Sequence, residues 1–388
     1  MGLLFMGVAV GFIKEACVQN IVVVEMRMDE VHAVIQREPA LWSQFVKDEE
    51  YRGEGYDRHT RFLYSSSRFR SPEDPSVSRY LMSQGFVAEY PDDAPFAVVL
   101  SHDVDDVFVA PRQIAFAVRS SFRHRSVKPA VQLVNGFFHP KKSPYRTIQK
   151  ILEVERRYEA HSSFYFLASP EDVFGRKYTL QDVEGDMKDV LDAGSEVGFH
   201  TQFSSYDNFE EIQRQKKEME SVLGSQVIGA RNHVMRFQTP QTWWVLREAG
   251  FQYDSTYGYP DVVGFRNGMA HPFVPFDQTS RHSIPILEVP VMVQDWTMLW
   301  WMRLSPQESF QKVSALMDAV ERCHGVLTVL WHSWTYSYPV SFGGFFTPEW
   351  TMLYEKILQL ARQRNAWVTD TRSLYEHVAS RRGRLHHL

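Results

Sequence analysis

The chain has 388 residues, 44% hydrophobic and 23% charged, the proportions of a soluble globular protein with a sizeable core. Its net charge of -5 offers none of the concentrated positive charge that nucleic-acid binding requires, so no nucleic-acid partner is expected. Two cysteines, Cys17 and Cys323, are too few and too far apart for a disulfide framework or a thiolate zinc site, and a cytoplasmic, reducing location is the default.

Residues 2–13 are mostly apolar, but Lys14 and Glu15 end the run before membrane length. With no basic leader and no clear cleavage site, the run is a weak signal peptide. A true start near Met26 or Met28 explains it equally well. No other stretch approaches membrane length, so no stable membrane insertion is expected. Residues 29–51 carry apolar residues at helical spacing, and 52–93 are rich in charge, Ser and Pro with little periodicity. Residues 1–93 therefore read as a helical and irregular N-terminal appendage.

At Ala94 the pattern changes, and 94–388 reads as the main domain. FAVVLSHDVDD (96–106) is an apolar run ending in acids, a buried strand followed by a loop. A long helical or irregular stretch follows to about residue 160. Further strands are expected at 162–168, 195–201, 226–237, 287–295, 325–333 and 365–371, with a short one before Asp254. Helices are expected at 180–194, 209–224, 239–251 and 348–364, the first two stopped by Gly194 and Gly224. Strands alternating with helices, and polar residues placed where strands end, indicate a parallel α/β barrel with its function at the carboxyl ends of the strands. No GxGxxG or P-loop supports a nucleotide fold.

Asp103 and Asp105, two apart on a strand end, share one face. Alone they would read as a solvated acidic turn. Side by side they repel unless protons or a cation separate them, and a divalent metal lets one act as ligand and the other as base. His200 follows the apolar run 197–199 at a later strand end, and His233 and His332 repeat that placement at two further strand ends, so all of them converge on one rim. Nitrogen and oxygen ligands without thiolates suit Zn first, and also Mn, Fe, Co or Ni. Arg231 and Arg236 flank His233 and are placed to hold a catalytic carboxylate ionised. Asp254 could support a metal-ligand or base histidine. Trp331, Trp334 and Tyr336 surround His332 and could wall a substrate pocket or simply pack the core. Aromatic residues are 14% of the chain, with ten Trp, and some could stack on sugar faces.

The segments LSHDVD, VGFHTQFSSYDN, GARNHVMRF, FQYDSTYGYPDVVGFRNG and VLWHSW occur in the order of the motifs of polysaccharide deacetylases (NodB homology, carbohydrate esterase family 4). More closely, they resemble the divergent HDVD branch found among bacterial cell-surface polysaccharide genes. The resemblance covers about 94–378. It implies a distorted (β/α)7 barrel that hydrolyses an N-acetyl amide on a carbohydrate. By position it implies Asp103 as base, Asp105 and His200 as metal ligands, Arg231 orienting Asp103, and His332 as the acid that protonates the leaving amine. A backbone N–H near Phe203 or Ser204 would stabilise the oxyanion. The family's second histidine ligand falls on Ser204 here, and His233 is expected to take its place. Two rival readings remain: hydrolysis of another non-peptide C–N bond on the same barrel, or a carbohydrate-binding barrel without turnover.

Overall fold

The computed structural model describes residues 28–124, 127–170, 177–337 and 348–381. The N-terminal apolar run and Cys17 lie outside them. The main sheet contains β1 (Ala97–Val104), β2 (Ser163–Leu167), β3 (Glu196–Thr201), β4 (Gly229–Asn232) and β5 (Tyr253–Asp254). After a two-stranded hairpin of β6 (Phe276–Asp277) and β7 (His282–Ser283) come β8 (Leu287–Glu288), β9 (Val293–Gln294), β10 (Val326–Leu330) and β11 (Trp367–Thr369).

All pairings in the main sheet are parallel, in the order β8-β5-β4-β3-β2-β1-β10-β9. The expected strand 287–295 divides in two. Its first half pairs with β5 and its second with β10. One continuous segment therefore joins both ends of the sheet, and seven staves close into the distorted (β/α)7 barrel. The linking residues continue both seams, with Val289 N–H donating to Asp254 O and Met292 N–H to Thr328 O. β11 flanks the first half of β1, on the side where β2 flanks its second half.

Every residue of β1, β2, β3 and β10 is buried, as parallel strands covered on both faces must be. Side chains alternate along them. On β1, Ser101 and Asp103 point into the barrel. His102 points outward, where its ring nitrogens meet Trp331 O at 2.6 Å and Glu155 at 2.9 Å in the helix layer.

The expected helix in 29–51 is two helices, Met28–Ile35 and Pro39–Val46, because Pro39 cannot continue the first and suits the start of the second. Residues 28–93 share the barrel's core through Val31, Ile35, Phe45, Val77 and Leu81. Glu50 makes two hydrogen bonds with the buried Arg266, at 2.9 and 2.8 Å. Lys47, wholly buried, bonds Tyr259 at 2.8 Å and Ser67 at 2.9 Å, and pairs with Glu49. No helix among the described residues is long and apolar enough to cross a membrane.

Candidate metal centre

The parallel sheet delivers one end of every stave to the same rim. Asp103 arrives from β1 and Asp105 just after it, His200 from β3, His233 just after β4, and His332 two residues after β10. His233 is turned inward by a sharp bend. Val234 and Met235 both have positive φ, at 61° and 56°, which is uncommon for any non-glycine residue and unfavourable for β-branched valine. The His233 N–H donates to Thr201 Oγ1 at 3.2 Å, which secures the bend to β3.

Asp105, His200 and His233 can each turn one ligand atom into a space where all three lie within 4.8 Å of one another. Asp105 Oδ1 is 3.4 Å from His200 Nε2 and 3.5 Å from His233 Nε2. Both Asp105 Oδ1 and His200 Nε2 are buried with no hydrogen-bond partner. Buried polar atoms normally find partners, and leaving them without costs about 1–3 kcal/mol each. His200 Nδ1 lies 2.9 Å from Arg231 O, so one ring proton sits there and Nε2 is the nitrogen turned toward the cluster. Burial raises the Asp105 pKa, but His200, His233 and His332 overcome it and hold the carboxyl well below its usual range. These residues fit a divalent cation with nitrogen and oxygen ligands. Ser204 sits exposed on the turn after β3, outside the cluster.

Asp103 lies beside the cluster, its Oδ2 3.7 Å from His200 Nε2. Arg231 Nη1 donates to Asp103 Oδ1 at 3.0 Å and to Ser101 Oγ at 2.9 Å. The buried guanidinium is fixed from behind by Ser255, through its carbonyl at 2.6 Å and its hydroxyl at 2.8 Å. It also lies over the Tyr165 ring, 4.2 Å from its centre. Opposite, His332 Nε2 is 3.9 Å from Asp105 Oδ2. Its Nδ1 is 2.6 Å from Asp295 Oδ1, and Asp295 Oδ2 accepts the His332 N–H at 2.9 Å. Burial lowers the His332 pKa, but Asp295, with Asp105 and Asp103 behind it, raises it to about 9. The imidazole is therefore protonated near neutrality.

Asp295 was not singled out by the sequence. The signal was present, an acid closing the apolar run 287–295, but its partner histidine is 37 positions away.

The remaining sequence expectations divide. Trp334 reaches the site: its Nε1 donates to Asp105 Oδ2 at 3.2 Å, and its ring stacks on His332 with centroids 4.7 Å apart. Trp331 does not. Next to His332 in an extended chain, it points the other way and packs on Tyr354 and Trp350 in the helix layer. Tyr336 also faces Tyr354, because a 3-10 turn over Ser333–Ser337 carries it to that side. Arg236 fastens the rim. It bonds His59 O at 3.1 Å, Thr60 Oγ1 at 3.2 Å and Phe203 O, and lies over Tyr206. Asp254 supports no histidine among the described residues. It accepts from Thr256 Oγ1 at 2.6 Å and lies against Glu288 on the helix side of the sheet, where Glu288 accepts from Trp243 Nε1 at 2.7 Å and burial raises the pKa of both acids.

An aromatic run continues outward from the site. The Trp296 ring meets Trp334 edge-on at 5.8 Å and stacks on Trp300 at 5.2 Å, and Trp300 is half exposed.

No family model matches the chain, and no curated protein matches its sequence. Among solved structures it is similar to a Mycobacterium smegmatis protein provisionally named a polysaccharide deacetylase. The two are 18% identical, with a TM-score of 0.51 over 76% of this chain and 93% of that one. More distant similarities are to a family 4 carbohydrate esterase from Streptomyces lividans in complex with acetate and a CE4 family pseudoenzyme from Bacillus anthracis. The first has 12% identity and a TM-score of 0.36 over 71% of this chain and 92% of that one. The second has 12% identity and a TM-score of 0.38 over 75% and 68%. The described residues thus share the fold of the Mycobacterium smegmatis protein, a distorted, NodB-like (β/α)7 barrel.

Proposed function

We propose that the protein is a metal-dependent hydrolase that removes an N-acetyl group from a sugar in a polysaccharide, glycolipid or sugar precursor. The observation that carries this reading is the pair of buried, unpartnered atoms, Asp105 Oδ1 and His200 Nε2, set between an acid–base pair of side chains. Asp105, His200 and His233 would hold the cation, Zn by preference, and when bound it supplies Lewis acidity toward an amide carbonyl and a nearby water.

Asp103 is the base. Arg231 holds its carboxylate toward the cluster, so the other oxygen is available to take a proton from the attacking water. His332 is the acid. Its proton passes to the amide nitrogen as the C–N bond breaks, releasing a free amine and acetate. Asp295 keeps the imidazole charged and oriented until then. Trp334 closes one side of the pocket, and the Trp296–Trp300 stack offers flat faces for sugar rings beyond it. The backbone N–H groups near Phe203 and Ser204 are assigned to the oxyanion. A pure binding protein would need neither a charged acid nor a clamped base.

Acetate release from a panel of N-acetylated sugars tests the reading, with the wild type compared with Asp103→Asn. Loss of a positioned base is expected to cost about 10²–10⁴ in kcat. Equal release by both proteins, or ammonia release from linear amides or ring-opening of cyclic ones with no acetate from any sugar, would overturn it.

A further inference from the structure

Between Asp106 and Glu153 the sequence holds nine Lys and Arg and not one Asp or Glu, although the whole chain has a net charge of -5. This block is the insert that joins β1 to β2, and its helices include Pro111–His124 and Lys128–Phe138. Both ends of the insert are rooted at the catalytic rim. It leaves from Asp106, whose carboxylate accepts from Lys177 Nζ at 3.0 Å. It returns at Thr147, whose hydroxyl donates to Ser333 O at 2.6 Å, next to His332.

The second helix has two apolar faces. Ala130, Leu133 and Gly136 face the protein. Gly136 packs so closely that a Cβ there would come within 2.7 Å of Pro144. The opposite face carries Val127, Val131, Val134 and Phe138 at spacings of 4, 3 and 4, which is one helical stripe. Their exposures are 69%, 61%, 39% and 71%, and Phe137 beside them is 41% exposed. Single exposed apolar residues need no explanation, but a continuous stripe does. Lys128 opens the helix and Lys141 and Lys142 lie in the turn that follows it, all three exposed.

We infer that this insert docks the protein on an anionic phospholipid surface, with the 127–138 stripe in the interface and the surrounding lysines on the headgroups. An exposed apolar stripe bordered by cations is the pattern of an interfacial helix, and charge complementarity favours a lipid surface over a protein of ordinary composition. Docking there sets the mouth of the barrel beside the bilayer, within reach of a membrane-borne substrate. The attachment does not depend on which reaction the site performs.

The test is co-sedimentation of the full chain with vesicles of phosphatidylcholine alone and of phosphatidylcholine mixed with phosphatidylglycerol. The wild type is expected to pellet with the anionic vesicles only, and less as salt rises. Removing one cation from the interface is expected to weaken partitioning about fivefold, so Lys141→Gln with Lys142→Gln should weaken it about 25-fold. Val131→Ser with Phe138→Ser should weaken it at least about tenfold. Unchanged thermal unfolding of both variants would confirm that they fold. Failure of the wild type to pellet would overturn the proposal, as would pelleting indifferent to both variants. A dimer in light scattering that the Val131 and Phe138 substitutions dissociate, without vesicle binding, would show the stripe to be a protein interface instead.

Discussion

At the scale of single residues, the site is a set of side chains each held by a second. His200 is oriented by Arg231 O, Asp103 by the Arg231 guanidinium, His332 by Asp295, and His233 by the bend at Val234. This layering gives a prediction for a residue outside the metal cluster. Asp295→Asn should keep the metal but lower kcat about 10–100-fold, the cost usually seen when a partner orienting a functional histidine is lost. Retention of full kcat would mean that Asp295 is structural only. Most of the cluster was legible in the sequence because strand ends are marked: an apolar run stops on Asp103, His200 or His332. Asp295 carried the same mark without a neighbouring histidine to draw notice to it. Trp331 and Tyr336 stood beside His332 in sequence, but alternation and a 3-10 turn send them into the helix layer. Adjacency in the chain does not place side chains in one pocket.

At the scale of elements, the parallel staves bury polar groups at both ends, and the far end can be tested by pH. Glu196, at the start of β3, is buried against Ser163, Tyr253 and the Arg372 N–H. Burial first, and then the charge of Asp370, raises its pKa from 4.5 to about 7. The folded state therefore favours the neutral acid. That contribution is fully present below pH 4.5, declines as the unfolded chain ionises, and is gone above about pH 7. A tenfold change in proton affinity corresponds to about 1.4 kcal/mol, so wild-type stability should fall by up to about 3 kcal/mol across this window. Glu196→Gln should be flatter there in urea unfolding, and parallel curves for the two proteins would contradict the assignment. The staves themselves were readable as buried apolar runs. The division of 287–295 into β8 and β9 was not, because one run of apolar residues does not reveal that its halves pair with opposite ends of the sheet.

At the scale of the molecule, residues 28–93 show where sequence patterns stop being informative. The helical spacing of 29–51 and the little periodicity of 52–93 read as an appendage, and these residues join the barrel through scattered core residues and the buried Glu50–Arg266 pair. Such contacts leave no repeat for a pattern to reveal. Glu50→Ala would strand the Arg266 charge in the interior, at a cost of about 3–5 kcal/mol. One cooperative transition at lower Tm is expected, whereas two separated transitions would mean that the segment unfolds on its own. The whole architecture serves to bring Asp105, His200 and His233 together from three staves, and metal binding tests that most directly. Zinc titrated into metal-free protein, followed by calorimetry, should bind with a stoichiometry of about one in the wild type, Ser204→Ala and Asp103→Asn. His233→Ala should lose that binding while still unfolding cooperatively. Full binding by His233→Ala with loss in Ser204→Ala, or no binding by the wild type, would contradict the account.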